Sequence, residues 1–124
     1  GIPKKYFDKG DPYHCYCHKT TRLISEKFSS IKIKTTFQSR FGPQEWLKPY
    51  TDKTLESLPE EGVKNVLTIC PGFASDCVET LEEIQIQAKE SFLNSGGENF
   101  DMVPCLNDNN DHITLLKSLI ERNT

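Results

Sequence analysis

Two carboxylates one helical turn apart, Glu79 and Glu83, are the residues of this chain best placed to do chemistry. At about 100° per residue, an α-helix puts Glu79, Glu83 and Gln87 along one ridge. Paired carboxylates can accept protons or bind a divalent cation. They can equally be the solvated side of an amphipathic helix, and Glu79 follows Asp76 at the spacing of a capping box. The residues alone leave both interpretations open.

Two details favour a site on this helix. The preceding run VLTIC, residues 66–70, is β-prone and of the kind buried on both faces of a parallel sheet. Ligands of open α/β sheets bind at the carboxyl ends of such strands. Ile86 is an apolar residue on the polar face, as expected if that face lines a cleft. The opposite, core-facing stripe consists of Cys77, Leu81, Ile84, Ala88 and Phe92.

The segment HCYCH, residues 14–18, invites a metal or iron–sulfur interpretation. On a helix, however, Cys15 and Cys17 point roughly 160° apart, so they cannot clasp one ion. His14 and His18 lie at i and i+4, but two ligands make a poor metal site. We therefore expect a surface helix here. The other three cysteines, Cys70, Cys77 and Cys105, are predicted to be small apolar core residues.

An aromatic loop follows at 38–50. With its flanks it carries Phe37, Phe41, Trp46 and Tyr50, which is more aromatic than a plain connector requires. The loop either packs over the core or forms a flat apolar wall for an aromatic ligand. The pattern does not decide between the two.

Composition bounds the class of protein. The chain has 124 residues, 35% hydrophobic and 27% charged, which fits one globular domain or one piece of a larger one. Its net charge of −3 and scattered basic residues argue against a nucleic-acid partner. The odd number of cysteines suits a reducing cytoplasm. Because the chain opens on Gly1-Ile2-Pro3 without an initiator methionine, we expect a piece cut out of a longer protein.

Hydrophobic periodicity predicts a parallel α/β sheet. Asp11 followed by Pro12 starts the first helix, Thr51 caps the second, and Ser95-Gly96-Gly97 ends the third. Helices and strands then alternate as in a doubly wound fold. The predicted helices are 11–28, 51–62, 76–94 and 109–122, and the predicted strands are 31–37, 66–70 and 100–103.

Three long motifs then identify a resemblance. GIPKKYFDKGDPY, FQSRFGPQEWLKPYTD and PGFASDCVETLEEI, with PCLND at 104–108, resemble the C-terminal half of ferrochelatases, which insert ferrous iron into a porphyrin to make haem. The resemblance implies that residues 1–124 are most of the C-terminal lobe of a two-lobe enzyme. Each lobe of that family is a three-layer, Rossmann-like α/β unit, and the porphyrin binds between the lobes.

The resemblance also implies roles for three residues. Glu79 matches the active-site glutamate, which accepts protons and contacts the metal. Glu83 matches the next acidic residue on a ridge that guides protons or metal to the site. Trp46 matches an aromatic that lines the porphyrin cleft. Gln87 is usually acidic in the family and is neutral here. Ferrous iron is implied as substrate, with no organic cofactor and no expected [2Fe–2S] cluster.

The resemblance also implies that two parts of the active site lie outside this chain. The catalytic histidine of the family directly precedes the Gly-Ile-Pro stretch, at the end of a strand, so both fall before Gly1. The other lobe, which supplies much of the porphyrin wall, is the expected partner. We therefore expect the chain alone to be nearly inactive. The alternative functions are a non-catalytic tetrapyrrole- or metal-binding module and an iron–sulfur protein. The expected location is the cytoplasm, with peripheral contact at the inner membrane as a second option.

Overall fold

The computed structural model describes residues 1–124. In chain order the elements are helices α1 (Lys4–Asp8), α2 (Tyr13–Ser25) and α3 (Thr51–Ser57), strand β1 (Asn65–Thr68), helix α4 (Val78–Leu81), a π-helix (Glu83–Ala88), helix α5 (Lys89–Asn94), strand β2 (Asn99–Met102) and helix α6 (Asn110–Glu121). None of these helices has the length and apolarity needed to cross a bilayer.

The two strands form a parallel sheet, which confirms the predicted α/β class. β1 pairs with β2 from Asn65↔Asn99 to Thr68↔Met102. The helical stretch between them, residues 78–94, is the connection that a parallel pair of strands requires, and we call it the crossover. The prediction that β1 is buried on both faces is wrong, because Leu67 is 66% exposed and no second layer covers that face.

The core lies between this sheet and the crossover helices. Leu55 of α3, Ile84 and Ala88 of the π-helix, Phe92 of α5 and Phe100 of β2 form one buried cluster. Ile84, Ala88 and Phe92 follow one another at spacings of four residues, so burying them determines which side of the crossover faces the core. The opposite side is therefore left free to carry polar residues, Glu79 and Glu83 among them.

The crossover is not the uniform α-helix that the sequence predicts. Gln87 donates its backbone N–H to the carbonyl of Glu82, five residues earlier, over 2.9 Å. This is π-helical bonding, which often marks functional sites. Because a π-turn holds an extra residue, the predicted core stripe shifts: Leu81 is 46% exposed, while Thr80 is completely buried.

The predicted strand at 31–37 is not formed. Only Phe37 makes a bridge, with Tyr50, and a strand needs a neighbouring backbone over its whole length. Side chains hold this segment instead: Thr35 and Thr21 hydroxyls lie 2.6 Å apart, and Thr51 donates to Thr36 over 2.9 Å. The predicted cap by Thr51 is therefore wrong, since its hydroxyl serves this contact.

Further boundaries near the N-terminus also differ from the predictions. The short helix α1 lies in a stretch predicted to be loop. Asp11 accepts the N–H of Tyr13 at 2.9 Å, but α2 begins at Tyr13 with Pro12 as its N-cap, so the predicted Asp11 cap with Pro12 as the first helical residue is wrong. Helix α2 also ends at Ser25, short of the predicted 28, and α3 ends at Ser57, before the turn at Gly62.

Helix α6 was predicted closely but stands apart from the core. Asn109 accepts the N–H of Asp111 at 2.8 Å as the helix begins. Only His112 is buried in this helix, and its Nδ1 lies 2.7 Å from the carbonyl of Asn107.

Candidate active site

The predicted ridge lines one open cavity of about 610 Å³. Glu79, Glu83 and Gln87 form one wall, and the segment 37–40, at the start of the aromatic loop, faces them. Ile86, predicted to look into the cleft, is 53% exposed and lies outside the cavity. Glu82 also lines this wall, and a polar wall of carboxylates opposite a loop is a site that can take a ligand.

Glu79 stands at the first turn of the crossover with its carboxylate half-exposed in the cavity. No lysine, arginine or histidine forms an ion pair with it. Hydrogen bonding by the Cys77 thiol, and then by its own backbone N–H, holds the pKa of the Glu79 carboxyl below its usual value. Glu79 is therefore an ionised, unpaired carboxylate at neutral pH, able to accept a proton or contact a cation.

Glu83 is held on both oxygens by a single residue. The backbone N–H of Ser39 donates to Oε1 at 2.7 Å, and its hydroxyl donates to Oε2 at 2.5 Å. Ser39 has φ of 62°, the left-handed region that non-glycine residues rarely adopt. The backbone of the loop is therefore strained at Ser39, the residue that hydrogen-bonds Glu83 of the crossover.

Gln38 fastens the same loop to Glu79 and to the start of the chain. Its Nε2 donates to the Glu79 carbonyl at 2.7 Å, and its own carbonyl accepts from the Gly1 ammonium at 2.9 Å. Burial lowers the pKa of that ammonium, while Cys17 and Glu83 act in the opposite direction. Gly1, the loop and both carboxylates are therefore neighbours, although far apart in sequence.

A guanidinium lies on the loop side of the cavity. Arg40 donates to the Asp52 carboxylate and stacks over the Tyr50 ring, with 4.0 Å from its central carbon to the ring centroid. Both Arg40 and Asp52 line the cavity. An ion pair with no net charge, Arg40 with Asp52, therefore stands on the loop side of the cavity.

Trp46 is not brought to this cavity. Its indole N–H donates to the Phe41 carbonyl at 3.0 Å, and its backbone bridges to Pro3. Within the aromatic loop, Phe37 is buried at 4% exposure and lines the cavity, whereas Phe41 is 84% exposed. The loop therefore packs over the core at one point and presents a free ring at another.

The start of the crossover is fixed by Asp76, though not as predicted. The capping box is formed by Cys77 and Thr80, so the proposed pairing of Asp76 with Glu79 is wrong. Asp76 instead accepts from Thr80 at 2.9 Å and from the Asn107 amide at 2.8 Å. Donation from Asn107 is the main reason that the pKa of the Asp76 carboxyl lies below its usual value. This network ties the turn before Glu79 to the loop after β2.

The cysteines and histidines do not assemble into a metal-ligand set. No group of three histidine, cysteine or carboxylate side chains is close enough to hold an ion. Cys70, Cys77 and Cys105 are all half-buried, and of the three only Cys70 packs against the core cluster, as predicted. Burial, with Asp76 adding, raises the pKa of Cys105 to about 11. The His14 and His18 rings contact each other on α2, with their centroids 4.4 Å apart and their planes tilted by 48°.

Sequence reasoning missed Ser39, Gln38 and Arg40. All three lie in the aromatic loop, between Phe37 and Phe41, and no periodicity marks them. The available signal was a polar triplet inside an apolar stretch. It could show that the loop is unusual but not which helix it contacts.

Comparisons with known proteins agree with the resemblance. The ferrochelatase family model matches residues 1–124. The chain is 56% identical to the ferrochelatase of Allorhizobium ampelinum over 124 residues, covering 98% of this chain and 36% of the relative. It is also 56% identical to the ferrochelatases of Pseudoalteromonas atlantica, over 99% of this chain and 35% of the relative, and of Rhizobium meliloti, over 98% and 37%. The chain thus spans about a third of the length of the curated relatives it matches.

Proposed function

Since this chain belongs to the ferrochelatase family, we propose that residues 1–124 form the C-terminal lobe of an enzyme that inserts ferrous iron into protoporphyrin in haem biosynthesis. The lyase chemistry needs the rest of the polypeptide as partner. The chain supplies the carboxylate wall of the site, and porphyrin and ferrous iron are the substrates.

The observation that carries this proposal is the pair of carboxylates on one cavity wall. Metal insertion expels two pyrrole protons from the macrocycle, so the site needs bases beside the ring. Glu79 fits the role of proton acceptor and metal contact because it is ionised and has no cationic partner. Glu83, one turn further and held by Ser39, assists by easing the dehydration of the incoming cation.

The position of Gly1 supports completion of the site from outside this chain. Its nitrogen lies 2.9 Å from the Gln38 carbonyl, on the loop whose Ser39 binds Glu83. The histidine that the resemblance implies just before Gly1 would therefore join the carboxylates at the same cavity. Imidazole is a suitable ligand for ferrous iron.

We assign Trp46 to the porphyrin wall as part of the same proposal. It lies on the aromatic loop next to the exposed Phe41. An aromatic face there would pack against a macrocycle that extends from the cavity over the loop. Replacing Trp46 by Phe, which keeps a ring, should weaken porphyrin binding less than replacement by Ala.

A hybrid enzyme tests the function. In it, this chain replaces the matching segment of the Rhizobium meliloti ferrochelatase. Anaerobic insertion of Fe²⁺ or Zn²⁺ is followed by loss of protoporphyrin fluorescence. We expect activity in the hybrid, almost none in the chain alone, and a loss of about 10²–10⁴-fold in kcat for Glu79→Gln, as for removal of a general base.

Glu90→Gln is the matched control, since Glu90 is exposed on α5 and lies outside the cavity. It should leave the rate unchanged. An inactive hybrid in which the chain still binds porphyrin would favour a non-catalytic tetrapyrrole-binding module instead. A Glu79→Gln hybrid with full activity would remove Glu79 from the chemistry.

Location and cofactors remain predictions. All five cysteines are free, which supports a reducing compartment such as the cytoplasm. Peripheral contact with the inner membrane is untested, and flotation of the hybrid with vesicles would measure it. A visible absorption spectrum of anaerobically purified hybrid tests the expectation that no [2Fe–2S] cluster is present.

A further inference from the structure

We propose that Ser39 is a positioning residue for Glu83. This inference rests on the proposed function, and it concerns how one carboxylate of the pair is fixed while the other stays free. Ser39 makes two contacts to the Glu83 carboxylate across 44 positions of sequence.

The contact uses every donor that Ser39 has. Its backbone N–H binds Oε1 of Glu83 and its hydroxyl binds Oε2, at 2.7 and 2.5 Å. Both oxygens act as acceptors, which is how an ionised carboxylate bonds. Donation to both oxygens fixes the rotation about the last side-chain bond as well as the position of the group, which a single bond cannot do.

The backbone of Ser39 is shaped for this contact. A φ of 62° is costly for a serine and persists only where the surroundings hold it. Gln38 supplies that support by donating to the Glu79 carbonyl at 2.7 Å and to the Ser39 hydroxyl at 3.4 Å. Residues that keep strain of this kind cluster at functional sites.

The two glutamates are consequently unlike. Glu83 is held by the loop through Ser39, at the start of the π-helix. Glu79 has no loop donor on its carboxylate, and its hydrogen bonds come only from the Cys77 thiol and its own backbone N–H, so it can turn toward a ligand without breaking a contact to the loop. One carboxylate therefore keeps a constant geometry in the cavity while the other can change partner during a reaction.

Three variants of the hybrid enzyme separate the hydroxyl from the backbone. Ser39→Gly and Ser39→Asn both accept a left-handed backbone, but only Asn keeps a side-chain donor. We expect Ser39→Gly to lower kcat roughly 10-fold with an unchanged KM for porphyrin, and Ser39→Asn to stay within about three-fold of the parent. Ser29→Gly, on an exposed turn, is the matched control and should have no effect.

A double-mutant cycle identifies the partner. In a Glu83→Ala background, Ser39→Gly should have no further effect on kcat, since the clamp has already lost its acceptor. An equal loss in both backgrounds would overturn the proposal, because Ser39 would then act elsewhere. So would a Ser39→Asn variant as slow as Ser39→Gly.

A second measurement does not depend on activity. In the hybrid labelled with ¹⁵N-serine, the Ser39 amide proton should resonate downfield and move upfield in Glu83→Ala, with the peak assigned by its loss in Ser39→Gly. If the hybrid inserts no metal, the proposed function fails, yet this shift still supports the clamp. An amide unmoved by Glu83→Ala overturns the clamp even in an active enzyme.

Discussion

The crossover at 78–94 and helix α6 are both amphipathic and both follow a strand, but only the first is covered by the rest of the protein. In the crossover, Ile84 and Phe92 are 2% and 0% exposed. In α6 the apolar residues stay open, from Leu116 at 42% to Ile120 at 63%. An apolar stripe thus predicts that a helix forms but not that its face is covered.

The crossover, although it is the covered helix, has the less regular geometry of the two. The crossover packs on α3 and β2 and contains a π-turn, whereas α6 has regular α-helical geometry throughout. The crossover must pack on α3 and β2 with one side while Ser39 and Gln38 bind its polar side. The exposed helix α6 is under no such constraint. Irregular geometry therefore occurs where the candidate site is, and the following variants test that difference.

Phe92→Ala should have the largest effect on stability. The ring is completely buried between the sheet and α3, so truncation should cost about 3–5 kcal/mol of unfolding free energy. Urea unfolding followed by the fluorescence of the single tryptophan, Trp46, measures it. Leu93→Ala is the control on the same helix, because Leu93 is 36% exposed. Equal losses for the two variants would contradict the core assignment.

Gly97→Ala should come next. A Cβ at Gly97 would lie 2.2 Å from Cε1 of Phe92, and the buried ring has no room to withdraw. Overpacking of this kind costs about 1–3 kcal/mol. Gly72→Ala meets nothing within 4 Å and should be nearly neutral in the same urea experiment. An unchanged Gly97→Ala midpoint would show that the crossover yields more easily than its burial implies.

Asn107→Gly should make stability depend less on pH, because Asn107 links the two helices. Its amide donates to Asp76 at 2.8 Å, and its carbonyl meets His112 of α6. The Asp76 pKa is depressed in the folded state, so its contribution to stability is present above the unfolded value of about 3.9 and is lost as pH falls through the folded value.

The expected result is a parent chain more stable than Asn107→Gly at about pH 7, with the difference shrinking below about pH 4. Glycine is chosen because Asn107 has φ of 48°, which alanine would strain. Urea midpoints across this pH range give the measurement. A difference that stays constant with pH would show that the Asp76 contact is not its source.

Leu119→Ala should have the smallest effect. Leu119 is 44% exposed on α6, so the loss in this chain should stay below about 0.5 kcal/mol. The same substitution in the hybrid enzyme sharpens the comparison. A larger loss there would show that the remaining polypeptide covers α6.

Local patterns predicted the elements whose signals are contained in the element itself. β1, β2 and α6 appear close to their predicted bounds, because a short β-prone run and an apolar helical stripe are each complete within a few residues. The strand at 31–37 failed for the opposite reason: its alternation is real, but no neighbouring strand pairs with it. Helix α1 was missed because five residues between Pro3 and Gly10 are too few for a periodic signal.

The candidate site was predictable on one wall only. Helical spacing placed Glu79 and Glu83 together, and the cavity contains both. The opposite wall depends on Ser39 reaching across 44 residues with a left-handed backbone. No sequence rule used here marks a serine for that conformation, and the π-turn has no identifying residue either.

The parallel pairing of β1 with β2 has a consequence for synthesis of the protein. Partners in this sheet are 34 residues apart, as Asn65 and Asn99 show. A ribosome needs about 2–7 s to add that many residues. During that interval β1 lacks the two partners that residues 1–124 provide, the strand β2 and the packed crossover. Val66, which packs against the core in the folded chain, therefore has neither of these neighbours until β2 has been synthesised.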